Sequence, residues 1–171
     1  MTAPRVDRAA PMFARLALRT LLFTILVPGT LLFWGPYYLV AGRARFAAHW
    51  PPGLADTPAF ALVAAGTLIY LACAWRFATE GHGTPAPWDA PRKLVTGGLY
   101  RWVRNPMYVG IPIALIGEAW WLRAPNMALL AAIVAVAFHL RVVLYEEPTL
   151  RRLFGSDFDA YCARVRRWGL V

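Results

Sequence analysis

Glu146 and Glu147 form an adjacent acidic pair in a chain that has only nine Asp and Glu residues. A carboxylate accepts hydrogen bonds in a fixed geometry, so this pair is suited to bind a ribose diol or an ammonium group of a ligand. The alternative is a solvated pair at a membrane interface, with Glu147 bound to Arg151 one helical turn later. His139 and Arg141 precede the pair in a largely apolar run, and ionisable groups in such a run favour a functional role.

A second polar segment, residues 79–108, reads TEGHGTPAPWDAPRKLVTGGLYRWVRNPMY. Its glycines and prolines predict a loop as far as Asn105, which is a good N-cap residue, and Pro106 is a good first residue of a helix. The N-terminus of a helix presents unpaired N–H groups and partial positive charge, which suit a carboxylate or a phosphate. The alternative interpretation is an ordinary start of a membrane helix.

Two pairs of glycines lie in this segment. Gly81 and Gly83 allow the backbone to approach a ligand closely, but no βαβ pattern surrounds them, so they are not a dinucleotide-binding fingerprint. Gly97 and Gly98 predict a turn that returns the chain to the membrane. The glycines therefore indicate loop geometry and do not by themselves identify a cofactor.

Long uncharged runs must position these groups. Of the 171 residues, 59% are hydrophobic and 16% are charged, and the mean hydropathy is +0.46, which is typical of a membrane protein. A hydrocarbon core of about 30 Å needs roughly 20 helical residues, so the sequence predicts an all-α integral membrane protein with about four transmembrane helices in a single multi-pass domain. The predicted helices are 16–41, 57–77, 106–122 and 126–145, and the last two form a short hairpin.

Two polar regions remain outside the predicted helices. Residues 78–105 are expected to be a cytoplasmic loop and residues 146–171 a cytoplasmic tail. One helical stripe of the tail is apolar and consists of Phe158, Tyr161, Cys162, Val165 and Trp168. We expect this amphipathic helix to lie on the membrane or to cap the site, and an anchor without chemistry is the alternative. Cys73 and Cys162 are far apart, and neither a disulfide nor a metal site is predicted.

The basic residues indicate the orientation of the chain. Its 18 Lys and Arg residues against nine acidic residues give a net charge of +9. They collect at the ends of the apolar runs, which indicates a lipid bilayer with anionic headgroups as partner and argues against nucleic acid. Fifteen of the 18 basic residues lie in the segments that the predicted helices place on the same side of the membrane as the two termini. Because basic residues are more frequent in cytoplasmic segments, both termini are expected in the cytoplasm. The preference for arginine is compatible with a GC-rich bacterial genome, in which case the protein lies in the inner membrane.

Taken together, GHGTPAPWDAPRKLVTGGLYRWVRNPMYVG, a hydrophobic hairpin and EEPTLRRLFGSDFDAYCARVRRW resemble the isoprenylcysteine carboxyl methyltransferase and phospholipid methyltransferase superfamily. Its members are membrane enzymes that use S-adenosylmethionine. The resemblance covers residues 79–168 and implies a cofactor pocket between the cytoplasmic loop and the ends of the last two membrane helices. The residues that it assigns to the cofactor are Gly81, Gly83, Arg92, Lys93, Leu94, Val95, Tyr100, Asn105, Pro106, Met107, Tyr108, Glu146 and Glu147.

The resemblance also implies residues for the transfer step. Arg141 is adjacent to Val142, where the superfamily is expected to carry an arginine that orients an acceptor carboxylate. Independently of the resemblance, the residue types of Tyr108, His139 and the two glutamates make them candidate proton acceptors when the methyl acceptor is a protonated amine. Asn105 stands where the prenylcysteine-type members usually have histidine. Arg141, Tyr108 and His139 are therefore the candidate catalytic residues.

These features predict methyl transfer from S-adenosylmethionine to a lipid-like or prenylated acceptor that enters from the bilayer and offers a carboxylate, an amine or a thiol. A sulfonium methyl group is already activated, so holding the acceptor atom in line supplies much of the rate enhancement. A membrane NADPH-dependent reductase of the sterol-reductase-like type is the alternative from another enzyme class. A membrane scaffold without catalytic activity is the alternative without chemistry.

Overall fold

The computed structural model describes residues 18, 21–22, 24–26, 28–32, 52–81 and 92–169. Every regular element in these ranges is helical, which confirms the all-α class. The α-helices are α1 (Thr57–Arg76), α2 (Pro106–Trp121), α3 (Pro125–Arg141), α4 (Glu147–Phe154) and α5 (Ser156–Arg164). Short segments of 3-10 or π-helix cover Leu54–Asp56, Phe77–Gly81, Gly98–Arg101 and Val142–Glu146.

Two continuous helical stretches are long and apolar enough to cross a membrane, Leu54–Gly81 with 28 residues and Pro125–Phe154 with 30. Helix α2 has 16 residues, which at 1.5 Å per residue is about 24 Å, less than a typical hydrocarbon core. The predicted helix 16–41 is described only at the helical residues between 18 and 32, and its remainder lies outside the described residues. The count of four transmembrane helices therefore stays a prediction.

Helices α2 and α3 form a hairpin with residues 122–124 between them. Arg123 in this turn has a φ of 50° and donates a hydrogen bond of 3.0 Å to the carbonyl oxygen of Trp120. Its guanidinium also lies 3.2 Å from a carboxylate oxygen of Asp56. The turn of the hairpin is thereby tied to the segment that precedes α1.

Helices α1 and α2 approach each other closely at glycines, which are Gly66 on α1 and Gly110 and Gly117 on α2. A Cβ atom built on Gly66 would lie 2.4 Å from the carbonyl oxygen of Gly110, and one built on Gly117 would lie 2.6 Å from that of Ala59. Ala59 and Ala114 are completely buried. Small residues at such positions let two backbones come close, which is a common way for helices to associate in lipid.

Helix α3 packs against α2 and leaves its outer side uncovered by the described residues. A row of large apolar side chains is exposed along α3 and the turn that follows it, and His139 on the same helix is exposed as well. The row consists of Leu129, Ile133, Val136, Leu140 and Leu144. An apolar face of this extent is expected to contact lipid or another apolar surface. The same helix ends at Arg141, so a charged residue lies in the sequence between Leu140 and Leu144, the last two members of this row.

The tail contains the expected helix as α5, but this helix is shorter than the predicted stripe and is separate from the helix that precedes it. Helix α4 continues from α3 through the π segment and ends at Gly155, whose φ of 50° is in the left-handed region that favours glycine. Helix α5 then begins at Ser156 and ends at Arg164. Val165 has an extended backbone, so Trp168 lies beyond the helix. Of the predicted stripe, Phe158, Tyr161 and Val165 do form a buried cluster, with Cys162 partly buried beside it.

We expect Gly66→Ala to lower the thermal stability of the protein in detergent. The new Cβ would lie 2.4 Å from the Gly110 carbonyl oxygen, and overpacking of this kind costs about 1–3 kcal/mol. The melting temperature of the purified variant measures the effect. Gly53→Ala is the matched control, because a Cβ there meets only a carboxylate oxygen of Asp56, at 3.9 Å. Equal melting temperatures for the two variants would contradict the close contact between the helices.

Candidate functional site

The start of α2 lies where the Asn105-Pro106 pair predicts it, but Asn105 does not cap the helix with its side chain. The Nδ2 group of Asn105 instead donates a hydrogen bond of 3.2 Å to the carbonyl oxygen of Arg167. The expected helix start is thus correct, and the expected capping bond is not. The backbone N–H groups in the first turn of α2 therefore donate no hydrogen bond to the N-cap side chain.

Tyr108, Arg141 and Glu146 form a cluster between the first turn of α2 and the end of α3. The Tyr108 hydroxyl donates a hydrogen bond to Oε1 of Glu146. Nε of Arg141 lies 2.8 Å from the same oxygen and 3.3 Å from the Tyr108 hydroxyl. The ring of Tyr108 also packs on that of Phe138, with centroids 4.4 Å apart. Three residues from the sequence-based site are thereby in direct contact.

The π segment Val142–Glu146 explains how Arg141 and Glu146 meet. In an α-helix, residues five positions apart lie on different sides, because each residue advances the side chain by about 100°. A π-helix has hydrogen bonds between residues five apart and places such residues on the same side. The extra residue in this turn therefore aligns the Glu146 carboxylate with the Arg141 guanidinium.

Glu147 faces a different set of partners and is the buried charged residue of the described core. Arg167 binds it with two parallel hydrogen bonds, Nε to Oε1 at 2.8 Å and Nη2 to Oε2 at 2.7 Å. Nη1 of Arg104 lies 3.3 Å from Oε1. The local alternative, a pair with Arg151, is wrong, because Arg151 forms an ion pair of 2.8 Å with Asp159. Two guanidinium groups thus surround one carboxylate.

His139 lies apart from both carboxylates and contacts Trp168. The indole Nε1 group of Trp168 donates a hydrogen bond of 3.0 Å to Nδ1 of His139. Because an indole N–H only donates, Nδ1 of His139 is the acceptor in this hydrogen bond. Taking up a proton at Nδ1 would require this hydrogen bond to break.

The base of the predicted cofactor loop is closed by a backbone hydrogen bond of 2.9 Å from Arg92 to the carbonyl oxygen of Gly81. Residues 82–91, which include Gly83, lie outside the described residues. Farther along, Gly97 and Gly98 form the expected turn, and Gly98 has a φ of 57°. An ion pair between Arg76 and Glu80 lies against these glycines and leaves no room for a Cβ atom at either one.

The other predicted cofactor residues divide into exposed and buried ones. Arg92 and Lys93 are exposed, whereas Val95, Tyr100, Pro106 and Met107 are buried, and Leu94 packs against the cluster of Phe158, Tyr161 and Val165. The hydroxyl of Tyr161 donates a hydrogen bond of 2.6 Å to the carbonyl oxygen of Tyr100. Burial raises the pKa of both tyrosines, so the Tyr161 hydroxyl keeps the proton that this bond requires.

Three residues that sequence reasoning did not assign to the site are Arg104, Arg167 and Trp168. Arg104 immediately precedes the helix start, and its Nε group is buried without a hydrogen-bond partner among the described residues. Its Nη1 group also contacts Cys162. The sequence offered one signal for Arg104, its place directly before the N-cap. The partners of Arg167 and Trp168 lie 20 and 29 positions away, respectively, and have no local signal.

A profile of the phospholipid methyltransferase family matches residues 56–157, which is more than half of the chain. The chain is 37% identical over 73 residues to protein-S-isoprenylcysteine O-methyltransferase B of Arabidopsis thaliana, covering 43% of this chain and 37% of that protein. It is 32% identical over 78 residues to a probable protein-S-isoprenylcysteine O-methyltransferase of Oryza sativa subsp. indica, covering 46% and 41%. It is 35% identical over 72 residues to protein-S-isoprenylcysteine O-methyltransferase of Schizosaccharomyces pombe, covering 42% and 30%.

The matched region thus spans less than half the length of these curated relatives. No solved structure matches the chain.

We expect Tyr161→Phe to destabilise the packing of α5 against residues 92–105. The variant leaves the buried carbonyl oxygen of Tyr100 without its 2.6 Å hydrogen bond, and an unsatisfied buried acceptor costs about 1–3 kcal/mol. Thermal unfolding in detergent measures the loss. Tyr145→Phe is the matched control, because Tyr145 is exposed. A melting temperature of Tyr161→Phe equal to that of the control would rule out a stabilising role for this bond.

Proposed function

Since the chain belongs to the phospholipid methyltransferase family, we propose that it transfers a methyl group from S-adenosylmethionine to a lipid-like or prenylated acceptor in the membrane. The names of the curated relatives, which are O-methyltransferases of isoprenylcysteine proteins, support this reaction class. Two helical stretches long and apolar enough to cross a membrane support a membrane location. On the charge distribution, we propose that both termini face the cytoplasm.

One observation carries the proposal. The acidic pair and two arginines converge on the start of α2, with Glu146 beside Tyr108 in its first turn and Glu147 beside Arg104 just before it. This arrangement brings negative and positive groups together at one helix end. The methionine portion of the methyl donor is a zwitterion, and it needs both kinds of group at a short distance from each other.

The residues present fit the two ends of that zwitterion. A carboxylate is suited to the N–H groups in the first turn of α2 and to the buried Nε group of Arg104, which has no hydrogen-bond partner in the described part of the chain. An ammonium group or a ribose diol is suited to Glu146. Tyr108 and Arg141 both bind Oε1 of Glu146, so Oε2 is left as an acceptor with no partner in the described ranges.

When bound, S-adenosylmethionine supplies an activated sulfonium methyl group, and the chain supplies position. Tyr108 and Arg141 hold Glu146, while the side chain of Arg141 is 31% exposed at the C-terminal end of α3, next to Leu140 of the apolar row. An acceptor chain lying along that face brings its polar group to Arg141. Holding the acceptor atom about 3–3.5 Å from the methyl carbon is the main catalytic contribution.

The need for a base depends on the acceptor. A carboxylate or thiolate needs none, whereas a protonated amine must first lose a proton. Oε2 of Glu146 is the better candidate for that proton than His139, whose Nδ1 already accepts the Trp168 hydrogen bond. Arg141 favours a carboxylate, because its guanidinium matches a carboxylate with two hydrogen bonds.

Calorimetry with the detergent-purified protein tests the proposed donor. We expect saturable binding of both S-adenosylmethionine and S-adenosylhomocysteine, and a Kd for each that rises about tenfold or more in Glu146→Gln, which corresponds to about 1.4 kcal/mol. The amide weakens the interaction with an ammonium group or a diol. Asp157→Asn, an exposed position on α5, is the matched control and should bind like the unmodified protein.

NADPH is titrated alongside. Binding of NADPH without binding of either adenosyl ligand would replace the proposal with a reductase. A protein that binds none of the three would point to a membrane scaffold instead.

A second experiment tests the role proposed for Arg141. We expect Arg141→Ala to lower turnover of a carboxylate acceptor by about tenfold or more relative to an amine acceptor of the same chain length, because hydrogen bonds to a charged group contribute about 1.5–3 kcal/mol. Transfer of a labelled methyl group is measured for both acceptors, and a methyl ester is recognised by its release as methanol in base. An equal fall with both acceptors would limit Arg141 to holding Glu146.

A further inference from the structure

The segment Val165–Trp168 follows α5 and crosses the start of α2. The backbone N–H of Arg104 donates a hydrogen bond of 2.9 Å to the carbonyl oxygen of Arg166. The residues that follow these two make a second link. The side-chain Nδ2 group of Asn105 donates a hydrogen bond of 3.2 Å to the carbonyl oxygen of Arg167. Two successive residues are therefore fixed against the helix start by their backbones.

Both ends of this segment are also held. Val165 is buried in the cluster with Phe158 and Tyr161. At the other end, the indole of Trp168 donates to His139 on α3. The backbone of Arg167 is thus held on both sides, which sets the direction from which its side chain reaches Glu147.

Charge compensation alone does not require Arg167. Nη1 of Arg104 already lies 3.3 Å from the Glu147 carboxylate, so one positive group is present without it. The second guanidinium gives the group of Arg104, Glu147 and Arg167 a net positive charge, which favours an anionic ligand group beside it. The side chain of Arg167 is 35% exposed, and its removal leaves Glu147 beside Arg104, so the carboxylate keeps one positive partner.

The geometry of the Arg167 contact matters more than its charge. Two parallel hydrogen bonds of 2.8 and 2.7 Å fix the plane of the Glu147 carboxylate. Oε1 of that carboxylate in turn lies beside Nη1 of Arg104. A fixed carboxylate therefore fixes the orientation of the Arg104 guanidinium, including its buried Nε group that has no partner among the described residues.

We propose that Arg167 is a positioning residue, which holds Glu147 and through it turns the Nε group of Arg104 toward the carboxylate of the methyl donor. This inference rests on the proposed function. It gives residues after α5 a part in donor binding, although they lie beyond the region that matches the family.

Calorimetric titration with S-adenosylhomocysteine tests the inference. We expect the Kd to rise about tenfold or more in Arg167→Ala, as for the loss of hydrogen bonds between charged groups, with little change in melting temperature. The Kd of Arg167→Lys should lie between that of the unmodified protein and that of Arg167→Ala, because lysine restores the charge without the two parallel hydrogen bonds. Arg164→Ala is the matched control. It removes one positive charge from an exposed position of α5 and should bind like the unmodified protein.

A double variant separates positioning from a general effect on the tail. If Arg167 acts through Glu147, then Arg167→Ala combined with Glu147→Gln raises the Kd no further than the larger single change. Multiplicative effects of the two substitutions would overturn the inference. So would an unchanged Kd in Arg167→Ala, or an equal loss in Arg164→Ala. Absence of binding to the unmodified protein would instead overturn the proposed function, and this inference with it.

Discussion

A carboxylate removed from water must be paired, because desolvation of an isolated charge costs far more than a folded protein can tolerate. The side chain of Glu147 is only 10% exposed, and it meets this requirement with guanidinium groups from two distant parts of the chain. Arg104 precedes α2 and Arg167 follows α5. Pairing Glu147 therefore fixes three positions at once, the start of α4, the start of α2 and the segment after α5.

The π segment before Glu147 gives the two acidic residues different partners. Neighbouring residues on a helix point about 100° apart, so Glu146 and Glu147 face different groups. The extra residue in the turn brings Glu146 to Arg141 and Tyr108, while Glu147 faces Arg104 and Arg167. Glu146 keeps a free oxygen in the described structure, and Glu147 is largely saturated. On this geometry, Glu146 is the residue suited to contact a ligand, and Glu147 is suited to organise the arginines around it.

Local sequence signals predicted the parts of this site that depend on short-range chemistry. Asn105 with Pro106 indicated a helix start, and α2 begins at Pro106. The adjacent glutamates stood out against an apolar background, and one of them does meet Arg141 and Tyr108. The superfamily resemblance agrees with the family match.

The remaining features depend on tertiary contacts or on backbone conformations that residue types do not specify. The local pair of Glu147 with Arg151 was reasonable from spacing, but Arg151 binds Asp159 and Glu147 binds arginines that no spacing rule connects to it. A π turn has no characteristic composition, so the sequence did not predict that Arg141 and Glu146 lie on the same side of the helix and contact each other. Gly155 separates α4 from α5 through its positive φ. The backbone becomes extended at Val165, although the apolar stripe from Phe158 to Trp168 suggested a helix there.

Helices α1 and α2 pack closely against each other, whereas α3 has an exposed apolar face. Small residues hold α1 against α2, so that pair offers little space between its backbones. Helix α3 instead presents a row of apolar side chains that runs past Arg141 to Leu144. Under the proposed function, a hydrophobic acceptor therefore reaches the site along α3, and the polar donor reaches it from the side of the loop and tail. Because Glu146 ends the π segment that directly follows α3, both routes meet at Glu146, and neither ligand has to pass through the route of the other.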